Sequence, residues 1–337
     1  MPERRGLRIR VLTGGAVEIV DPDPETLPLL QALDPGYRVA TAPLPGFTRP
    51  RLLATRTTMV APDVSALDVK IEQAHRALRS CRLCAHACAV DRTRGQRGRC
   101  GLGTSASVYE AYIHIAEEPP INPALNISMR GCGLRCRSCQ QFDALKPVGP
   151  CGDELTPALW SQLDLAGARS LVFIGGNPTE SLPAVLEFLR VAPADFALPV
   201  GWNTHGYDSV EAIELLHGVV DVYIPDVKYG NDACAERLSG APGYVANART
   251  VVAAMCRQDV PVIARLLVLP GHNDCCHLPT LEYLAPLRPR LVLNVMAQYA
   301  PDFLIGGASD GPLARRPCRD EVDEVRNAAA AAGFSFV

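Results

Sequence analysis

The stretch NISMRGCGLRCRSC, residues 126–139, decides the fold of this chain and indicates its chemistry. It begins as a short strand and continues directly into three closely spaced cysteines: Cys132, Cys136 and Cys139. Three thiolates can hold a cubane iron–sulfur cluster and leave its fourth iron without a protein ligand, which predicts chemistry rather than electron storage. Alternatively, the three cysteines line one face of a buried helix. Gly131 and Gly133 flank the first cysteine and favour a loop over that helix.

Composition limits the function classes. The chain has 337 residues, 48% of them hydrophobic, which is enough for a sizeable core. Its net charge of −3 provides no basic field for nucleic acid, so we do not expect a nucleic-acid partner. The polar start MPERRGLRIR and the absence of a long apolar run predict no signal, no membrane contact and a soluble, cytoplasmic protein.

A second group of cysteines precedes the first one. Its members follow the spacing C-x2-C-x3-C-x11-C and are Cys81, Cys84, Cys88 and Cys100. Thirteen cysteines in a reducing cytosol favour metal binding over disulfides. Four thiolates in Gly-rich loops suit an auxiliary iron–sulfur cluster or a structural zinc, and the spacing does not choose between them. His86 within the loop is either a ligand or a solvated side chain.

From residue 126 onward, apolar strands alternate with amphipathic helices. The predicted strands are NISMRG, SLVFIGG, LPVGWNT, VDVYIPDVK, PVIARLLVLPG and RLVLNVMAQY. The predicted helices are Pro157–Ala168, Leu182–Val191, Ser209–His217, Ala246–Arg257 and Leu278–Ala285. Strand–helix alternation predicts parallel pairing with right-handed crossovers, and six repeats predict an α/β fold with a partial (β/α)6 barrel.

We predict four units along the chain. They are a small α+β extension over residues 1–65, a helix with the four-cysteine segment over 66–125, the partial barrel over 126–305, and a helix and strand over 306–337. The extension is predicted to contain two strands around the Gly14-Gly15 turn and a helix near Glu25 to Leu33.

The predicted strands end in polar or glycine-rich motifs. Reactive groups gather at the carboxyl ends of barrel strands, so these residues are candidates for one site. They are Gly175, Gly176 and Asn177 after the second strand, Asn203 and His205 after the third, Asp226 and Lys228 after the fourth, and His272, Cys275 and Cys276 after the fifth.

Taken in order, these motifs resemble those of the radical S-adenosylmethionine superfamily, and within it the branch similar to pyruvate formate-lyase activating enzymes. The CxxxCxxC, GGE-type, TNG-type, DLK-type and late PG elements appear in the same order over roughly residues 126 to 300. Two positions depart from the family pattern. Ser138 replaces an aromatic residue that would contact adenine, a contact for which Phe142 is a candidate, and Asn177 replaces a glutamate.

The resemblance implies a radical enzyme. Cys132, Cys136 and Cys139 would hold a [4Fe-4S] cluster whose fourth iron binds S-adenosylmethionine. The glycines and polar residues named above would bind that cofactor, and an electron donor such as flavodoxin or ferredoxin would reduce the cluster. Reductive cleavage would then give a 5′-deoxyadenosyl radical that abstracts hydrogen from a substrate.

Three functions remain open at this point. The first is hydrogen abstraction from a peptide or small molecule, and the second is installation of a glycyl radical on a partner protein. The third is a non-enzymatic zinc module that binds RNA or a protein. We rank the peptide or small molecule first, because the chain lacks a separate ferredoxin-like cysteine domain. In that function His272, Cys275 and Cys276 are candidate catalytic residues, since a thiol can exchange a hydrogen atom with a substrate radical.

Overall fold

The computed structural model describes residues 8–11, 17–20, 64–145, 153–306 and 308–337. Strands β1 (Arg8–Val11) and β2 (Val17–Val20) pair antiparallel, as predicted for the N-terminal extension. The Gly14-Gly15 turn between them and the predicted helix near Glu25 to Leu33 lie outside the described residues. The boundaries of the four units therefore stay a prediction.

Six parallel strands form the centre of the protein. They are β4 (Ala124–Met129), β6 (Ser170–Gly175), β7 (Val200–Thr204), β8 (Val222–Pro225), β9 (Ile263–Leu267) and β10 (Val292–Met296). The first four strands pair in that order, and β9 pairs with β10. Two isolated parallel bridges, Tyr223 to Val262 and Asp226 to Arg265, join the four-strand group to the β9–β10 pair. This confirms the predicted partial (β/α)6 barrel and each of its six strands.

Two further strands extend the sheet beyond β4. Strand β3 (Ser107–His114) pairs antiparallel with β4, and the short β5 (Asp153–Glu154) pairs antiparallel with β3. The sequence analysis missed β3. It covers the edge that a parallel sheet would otherwise leave open, which protects β4 from pairing with another chain.

Helices surround the strands. They are α1 (Val64–Ala77), α2 (Leu182–Arg190), α3 (Val210–Leu215), α4 (Asp232–Ser239), α5 (Tyr244–Arg257), α6 (Leu278–Leu284) and α7 (Arg319–Ala331). Strands β4 and β7 are buried along their whole length, because helices or neighbouring strands cover both faces. Among the described residues, no helix is both long enough and apolar enough to cross a membrane.

One predicted helix is wrong. Residues 157–168 were expected to be helical, but only a 3₁₀ turn over Pro157–Ser161 forms. The side chain of Asp164 accepts the backbone N–H of Ala166 at 2.9 Å, and Gly167 adopts a left-handed φ of 81°. This local turn competes with helix continuation and ends the segment early.

Candidate functional site

One cavity of about 270 Å³ lies at the carboxyl ends of the parallel strands. Its wall contains the three cysteines of the 132–139 loop together with residues that follow the strands of the barrel: Gly175, Gly176 and Asn177 after β6, Asn203 and His205 after β7, and Asp226 and Lys228 after β8. The structure thus brings together every residue predicted to bind S-adenosylmethionine. Their contact with that cofactor stays a prediction.

The cysteine loop rests on the end of helix α4. The backbone N–H of Arg135 donates to the carbonyl of Ser239, and that of Arg137 donates to Leu238, both at 2.9 Å. The hydroxyl of Ser239 also donates to Sγ of Cys136 at 3.0 Å. Hydrogen bonds to a cluster thiolate tune its reduction potential, so Ser239 is placed to act on Cys136.

Two thiols of the loop, those of Cys132 and Cys139, have raised pKa values. Burial raises the pKa of Cys132, and the nearby Glu180 carboxylate and Cys136 raise it further. Burial likewise raises the pKa of Cys139 to about 11. Thiolates bind metals after losing their protons, so a cation would have to displace these protons on binding.

The Gly175-Gly176 pair is required by close packing of the backbone. Gly175 has a φ of 108°, a conformation that side chains other than glycine rarely adopt. A methyl group at Gly176 would overlap the carbonyl oxygen of Gly131, which begins the cysteine loop. The N–H of Gly176 also donates to the carbonyl of Met129 at 2.8 Å. The pair therefore fixes β6 against the cysteine loop.

A buried polar network lies behind this loop. Asn177 donates to the carboxylates of Glu180 at 2.5 Å and Asp208 at 3.0 Å, and its carbonyl oxygen accepts the N–H of His205. Both side-chain N–H groups of Asn177 are thereby used within the protein. An interaction of Asn177 with a ligand would accordingly rest on its backbone rather than its amide side chain.

Glu180 is the centre of that network. Its carboxylate accepts the backbone N–H of Gly133 at 2.9 Å, and Nε2 of His205 lies 3.5 Å away. Burial opposes the charged form, but the nearby His205 ring and hydrogen bonds from Asn177 and Gly133 outweigh it and hold the pKa of Glu180 below its usual value. A buried carboxylate thus supports the cysteine loop.

Asp226 and Lys228 supply charged groups in the cavity wall. Nζ of Lys228 lies 3.3 Å from the Asp226 carboxylate, and Asn203 donates to the carbonyl of Ile224 at 2.7 Å. Burial lowers the pKa of Lys228, but Asp226 and Cys136 outweigh it, so the pKa is raised above its usual value. Lys228 therefore carries a positive charge beside the thiols.

Buried ion pairs join Arg265, in the cavity wall, to an acidic loop. Arg265 on β9 donates to both carboxylate oxygens of Glu118, at 2.8 and 2.7 Å, and it also contacts Glu117. Asn294 on β10 donates to Glu118 at 2.8 Å. The loop that carries the two glutamates lies between β3 and β4, so these contacts tie the two ends of the open barrel together.

The segment after β10 covers the cysteine loop. The N–H of Leu304 donates to the carbonyl of Arg137 at 2.8 Å, and the Arg137 guanidinium pairs with Asp310 at 2.5 Å. Tyr299 and Leu313 line the cavity and are joined by a hydrogen bond of 2.8 Å. This covering segment, residues 299–306 and 308–313, lies over the cysteine loop. Phe142, the candidate adenine contact, stacks on Phe303 of this segment with ring centroids 5.2 Å apart.

The four-cysteine segment packs against the 132–139 loop. A methyl group at Gly133 would come within 3.5 Å of Sγ of Cys84, and Arg99 donates to the carbonyl of Gly133 at 3.0 Å. Burial and the charge of Glu180 raise the pKa values of Cys84 and Cys100. The two cysteine groups are therefore neighbours, with Glu180 acting on both.

The other two cysteines of this segment, Cys81 and Cys88, lie in a tight loop. Ala87 and Ala89 on either side of Cys88 have positive φ angles of 43° and 55°, which cost energy for any residue except glycine. The Arg92 guanidinium lies 3.7 Å from Sγ of Cys81 and donates to the carbonyl of Glu180 at 2.8 Å. Buried Arg92 thus connects this segment to the Glu180 network.

Sulfur spacing bears on what each group can bind. A tetrahedral zinc site with Zn–S bonds of about 2.3 Å places its sulfurs about 3.8 Å apart. Over the described residues, no three sulfurs of either the four-cysteine segment or the 132–139 loop lie within 4.8 Å of one another. Each thiolate of a cubane binds a different iron, so its sulfurs lie further apart than those around one ion. The three thiols of the 132–139 loop are available to a cluster, and the four-cysteine segment offers four thiols for a second metal site.

The three candidate catalytic residues lie elsewhere. His272, Cys275 and Cys276 are outside the described wall of the cavity and pack with Cys234 of α4. Cys276 is fully buried, and Cys275 is half-buried. Their catalytic role stays a prediction.

Sequence comparison places the chain in a family. Residues 126–284 match the pattern described as the radical SAM superfamily. The chain is 33% identical over 249 residues to the uncharacterized protein MJ0674 of Methanocaldococcus jannaschii, an alignment that covers 70% of this chain and 71% of that protein. The protein belongs to the radical SAM superfamily.

Two solved structures are similar to part of this chain. A radical SAM methyltransferase from Sphaerobacter thermophilus gives a TM-score of 0.42 at 16% identity, covering 62% of this chain and 65% of that one. The structure of TYW1 with a lysine–pyruvate adduct bound gives 0.40 at 11% identity, covering 63% of this chain and 74% of that one. This chain thus spans slightly less than two thirds of the methyltransferase.

Superfamily membership implies a [4Fe-4S] cluster and S-adenosylmethionine, and the site fits both. Three spaced thiols line a cavity that also offers a lysine, a carboxylate and backbone groups. The sequence analysis missed Glu180, Arg92 and Ser239 as supports of the cysteine loop. No local pattern marks Glu180 or Arg92, but Asn231 and Gly240 flank α4 as an N-cap and a C-terminal glycine and indicate the helix that carries Ser239.

Proposed function

We propose that this protein abstracts a hydrogen atom from a small molecule or a short peptide. Cys132, Cys136 and Cys139 would hold the cluster, and S-adenosylmethionine bound there would supply the chemistry: one electron would break a carbon–sulfur bond and release methionine and a 5′-deoxyadenosyl radical. The observation that carries the proposal is the joint placement of the thiols of Cys132, Cys136 and Cys139 with Asp226 and Lys228 in one covered cavity.

The residues of this chain orient the reactants and exclude water. Arg137 and Asp310 hold the covering segment over the cysteine loop, which limits side reactions of a radical with solvent. Lys228 offers a fixed positive charge to a carboxylate, and Asp226 accepts hydrogen bonds. Gly175 and Gly176 keep the cavity wall close to the loop.

The covering of the cavity favours a small substrate. Arg137, Tyr299 and Leu313 line the cavity, and the N–H of Leu304 in the segment after β10 donates to the carbonyl of Arg137 in the cysteine loop. A glycyl radical on a partner protein would require that protein's loop to enter this space. We therefore rank activation of a partner protein second.

We further propose that the four-cysteine segment holds an auxiliary iron–sulfur cluster. Four thiols in one short segment, with Cys84 beside Gly133 of the 132–139 loop, support this proposal. A small electron-transfer protein such as a flavodoxin or ferredoxin would supply the electrons.

Isotope transfer tests the substrate class. Cells of the source organism are grown on deuterated medium, and their extract is divided by ultrafiltration into small molecules and proteins. Each fraction is incubated with reconstituted protein, dithionite and unlabelled S-adenosylmethionine, and 5′-deoxyadenosine is analysed by mass spectrometry. Deuterium gained from the small-molecule fraction supports the proposal. Deuterium gained only from the protein fraction would favour the glycyl-radical alternative.

A further inference from the structure

A third group of cysteines lies apart from both loops described above. Cys234 on α4 meets Cys275 and Cys276, which lie on a π-helical turn over Asn273–His277. All three sulfur atoms lie within 4.8 Å of one another. The Cys234–Cys275 and Cys275–Cys276 sulfur distances are both 3.9 Å. Single π-turns are rare and frequent at functional sites, so this turn marks the place independently of its cysteines.

These distances match the geometry around a single ion. Sulfurs bound tetrahedrally to zinc lie about 3.8 Å apart, given Zn–S bonds of about 2.3 Å. A disulfide would need about 2.05 Å between two sulfurs and would leave the third cysteine unpaired. We propose that the thiolates of Cys234, Cys275 and Cys276 bind one zinc ion.

The charges around the group support a zinc thiolate site. Zinc with three thiolates carries one net negative charge, and Nη2 of Arg237 lies 3.9 Å from Sγ of Cys234. A guanidinium turned toward a thiol gains little from a neutral S–H, whereas it balances the charge of a thiolate complex. Cys275 is half-buried, so the group is reachable from solvent.

Arg237 also links the group to His272. Nδ1 of His272 lies 2.9 Å from the carbonyl oxygen of Pro270, which can only accept, so Nδ1 carries the proton and Nε2 is an acceptor. The same Arg237 nitrogen lies 3.5 Å from Nε2 of His272 and donates to it. His272 therefore fixes the guanidinium beside Cys234, and the three thiolates are the protein ligands of the proposed site.

The surroundings hold the group in place. A methyl group at Gly230 would overlap the carbonyl oxygen of Cys276, so the loop after β8 packs tightly on the π-turn. Asn231 caps α4 by accepting the N–H of Cys234 at 3.1 Å.

Metal counts on the full chain test the proposal. The protein is purified anaerobically from zinc-supplemented cells, desalted, and analysed for zinc and iron by mass spectrometry. We expect Cys234→Ser and Cys275→Ser each to lose one zinc per chain relative to the natural sequence, with unchanged iron. Cys256→Ser is the matched control, because Cys256 is a buried thiol outside the group, and we expect it to keep its zinc.

X-ray absorption at the zinc edge gives an independent measurement on the natural protein and does not depend on how the variants fold. We expect three or more sulfur neighbours at about 2.3 Å. Equal zinc in the natural protein and both variants, or zinc without sulfur neighbours, would overturn the proposal. Because iron is counted in the same samples, loss of the radical SAM cluster would be seen separately.

Discussion

The carboxylate of Glu180 accepts the backbone N–H of Gly133 at 2.9 Å, between two cysteines that belong to different groups. Cys132 precedes that glycine, and Cys84 packs against it. The same carboxylate accepts from Asn177 and faces His205. One buried side chain thus connects the strand-end motifs to both cysteine groups.

Removing this carboxylate should destabilise the protein. We expect Glu180→Ala to lower the free energy of unfolding by about 3 kcal/mol, because it leaves buried donors without their charged acceptor. Iron retention after reconstitution should fall as well. Glu187→Ala is the control, since Glu187 is 54% exposed and pairs with His75 at the surface, where the loss should stay below about 1 kcal/mol. Chemical denaturation measures the unfolding free energy of both variants. Equal losses of unfolding free energy in Glu180→Ala and Glu187→Ala would contradict the role assigned to Glu180.

The close contact between the backbones of Gly176 and Gly131 gives a second prediction. Gly176→Ala would force the cysteine loop away from β6 and should lower the free energy of unfolding by about 1–3 kcal/mol. Gly306→Ala is the control, because a methyl group there meets no atom within 4 Å. Urea unfolding should give a clearly lower free energy of unfolding for Gly176→Ala than for Gly306→Ala. An alanine at 176 that leaves stability unchanged would show that the loop can move aside.

The ion pairs of Arg265 provide a third prediction. Arg265→Met leaves Glu117 and Glu118 buried without their cation, which should cost about 3–5 kcal/mol of unfolding free energy. The exposed pair Arg76–Glu72 is the comparison, and Arg76→Met should cost about 0.5 kcal/mol or less. Thermal unfolding of each variant tests the difference. Similar midpoints for both would indicate that water or a counterion already compensates the two glutamates.

Glu321 gives a pH-dependent prediction. Two hydrogen bonds from Arg315 lower the pKa of Glu321, and the N–H groups of Cys318 and Gly271 lower it further. A lowered folded-state pKa stabilises the protein above the unfolded pKa of about 4.3, and the effect is lost as pH falls through the folded value. Glu321→Gln should therefore be less stable than the natural protein at pH 7, and the gap should shrink in acid.

Denaturant unfolding measured between pH 3 and pH 7 tests this behaviour. We expect the unfolding free energies of Glu321→Gln and the natural protein to differ by about 1 kcal/mol at pH 7. Asp323→Asn is the matched control, because Asp323 is 45% exposed on the same helix and pairs with Arg319 at 3.4 Å. Its effect should be small at every pH. If the stability difference between Glu321→Gln and the natural protein grew as the pH fell, the lowered pKa assigned to Glu321 would be contradicted.

Much of the barrel follows from the sequence. Strands such as β6 are short apolar runs rich in branched side chains, and the polar motifs at their ends converge because parallel strands end at the same edge. The helix over 157–168 was wrong because a local Asx turn at Asp164 outweighed an apolar pattern. Helix α4 was missed because its polar sequence DACAERLS has little apolar periodicity.

The rest depends on contacts between residues distant in sequence. Glu180 lies 47 positions from Gly133, and nothing near it indicates that the two would meet. Nothing in the sequence indicates that Cys234 meets Cys275 and Cys276, because they come 41 or more positions later. The sequence is enough to predict Cys132, Cys136 and Cys139 as cluster ligands, which stays a prediction, whereas the supports of that loop and the third thiol group required the fold.

The central claim is that Cys132, Cys136 and Cys139 hold a cluster that cleaves S-adenosylmethionine. The direct measurement is 5′-deoxyadenosine formed by anaerobically reconstituted protein with dithionite, alongside iron and sulfide counts. We predict product from the natural protein and from Cys256→Ala, and none from Cys136→Ala, which should also lose iron. Background iron and no 5′-deoxyadenosine in the natural protein would contradict the account.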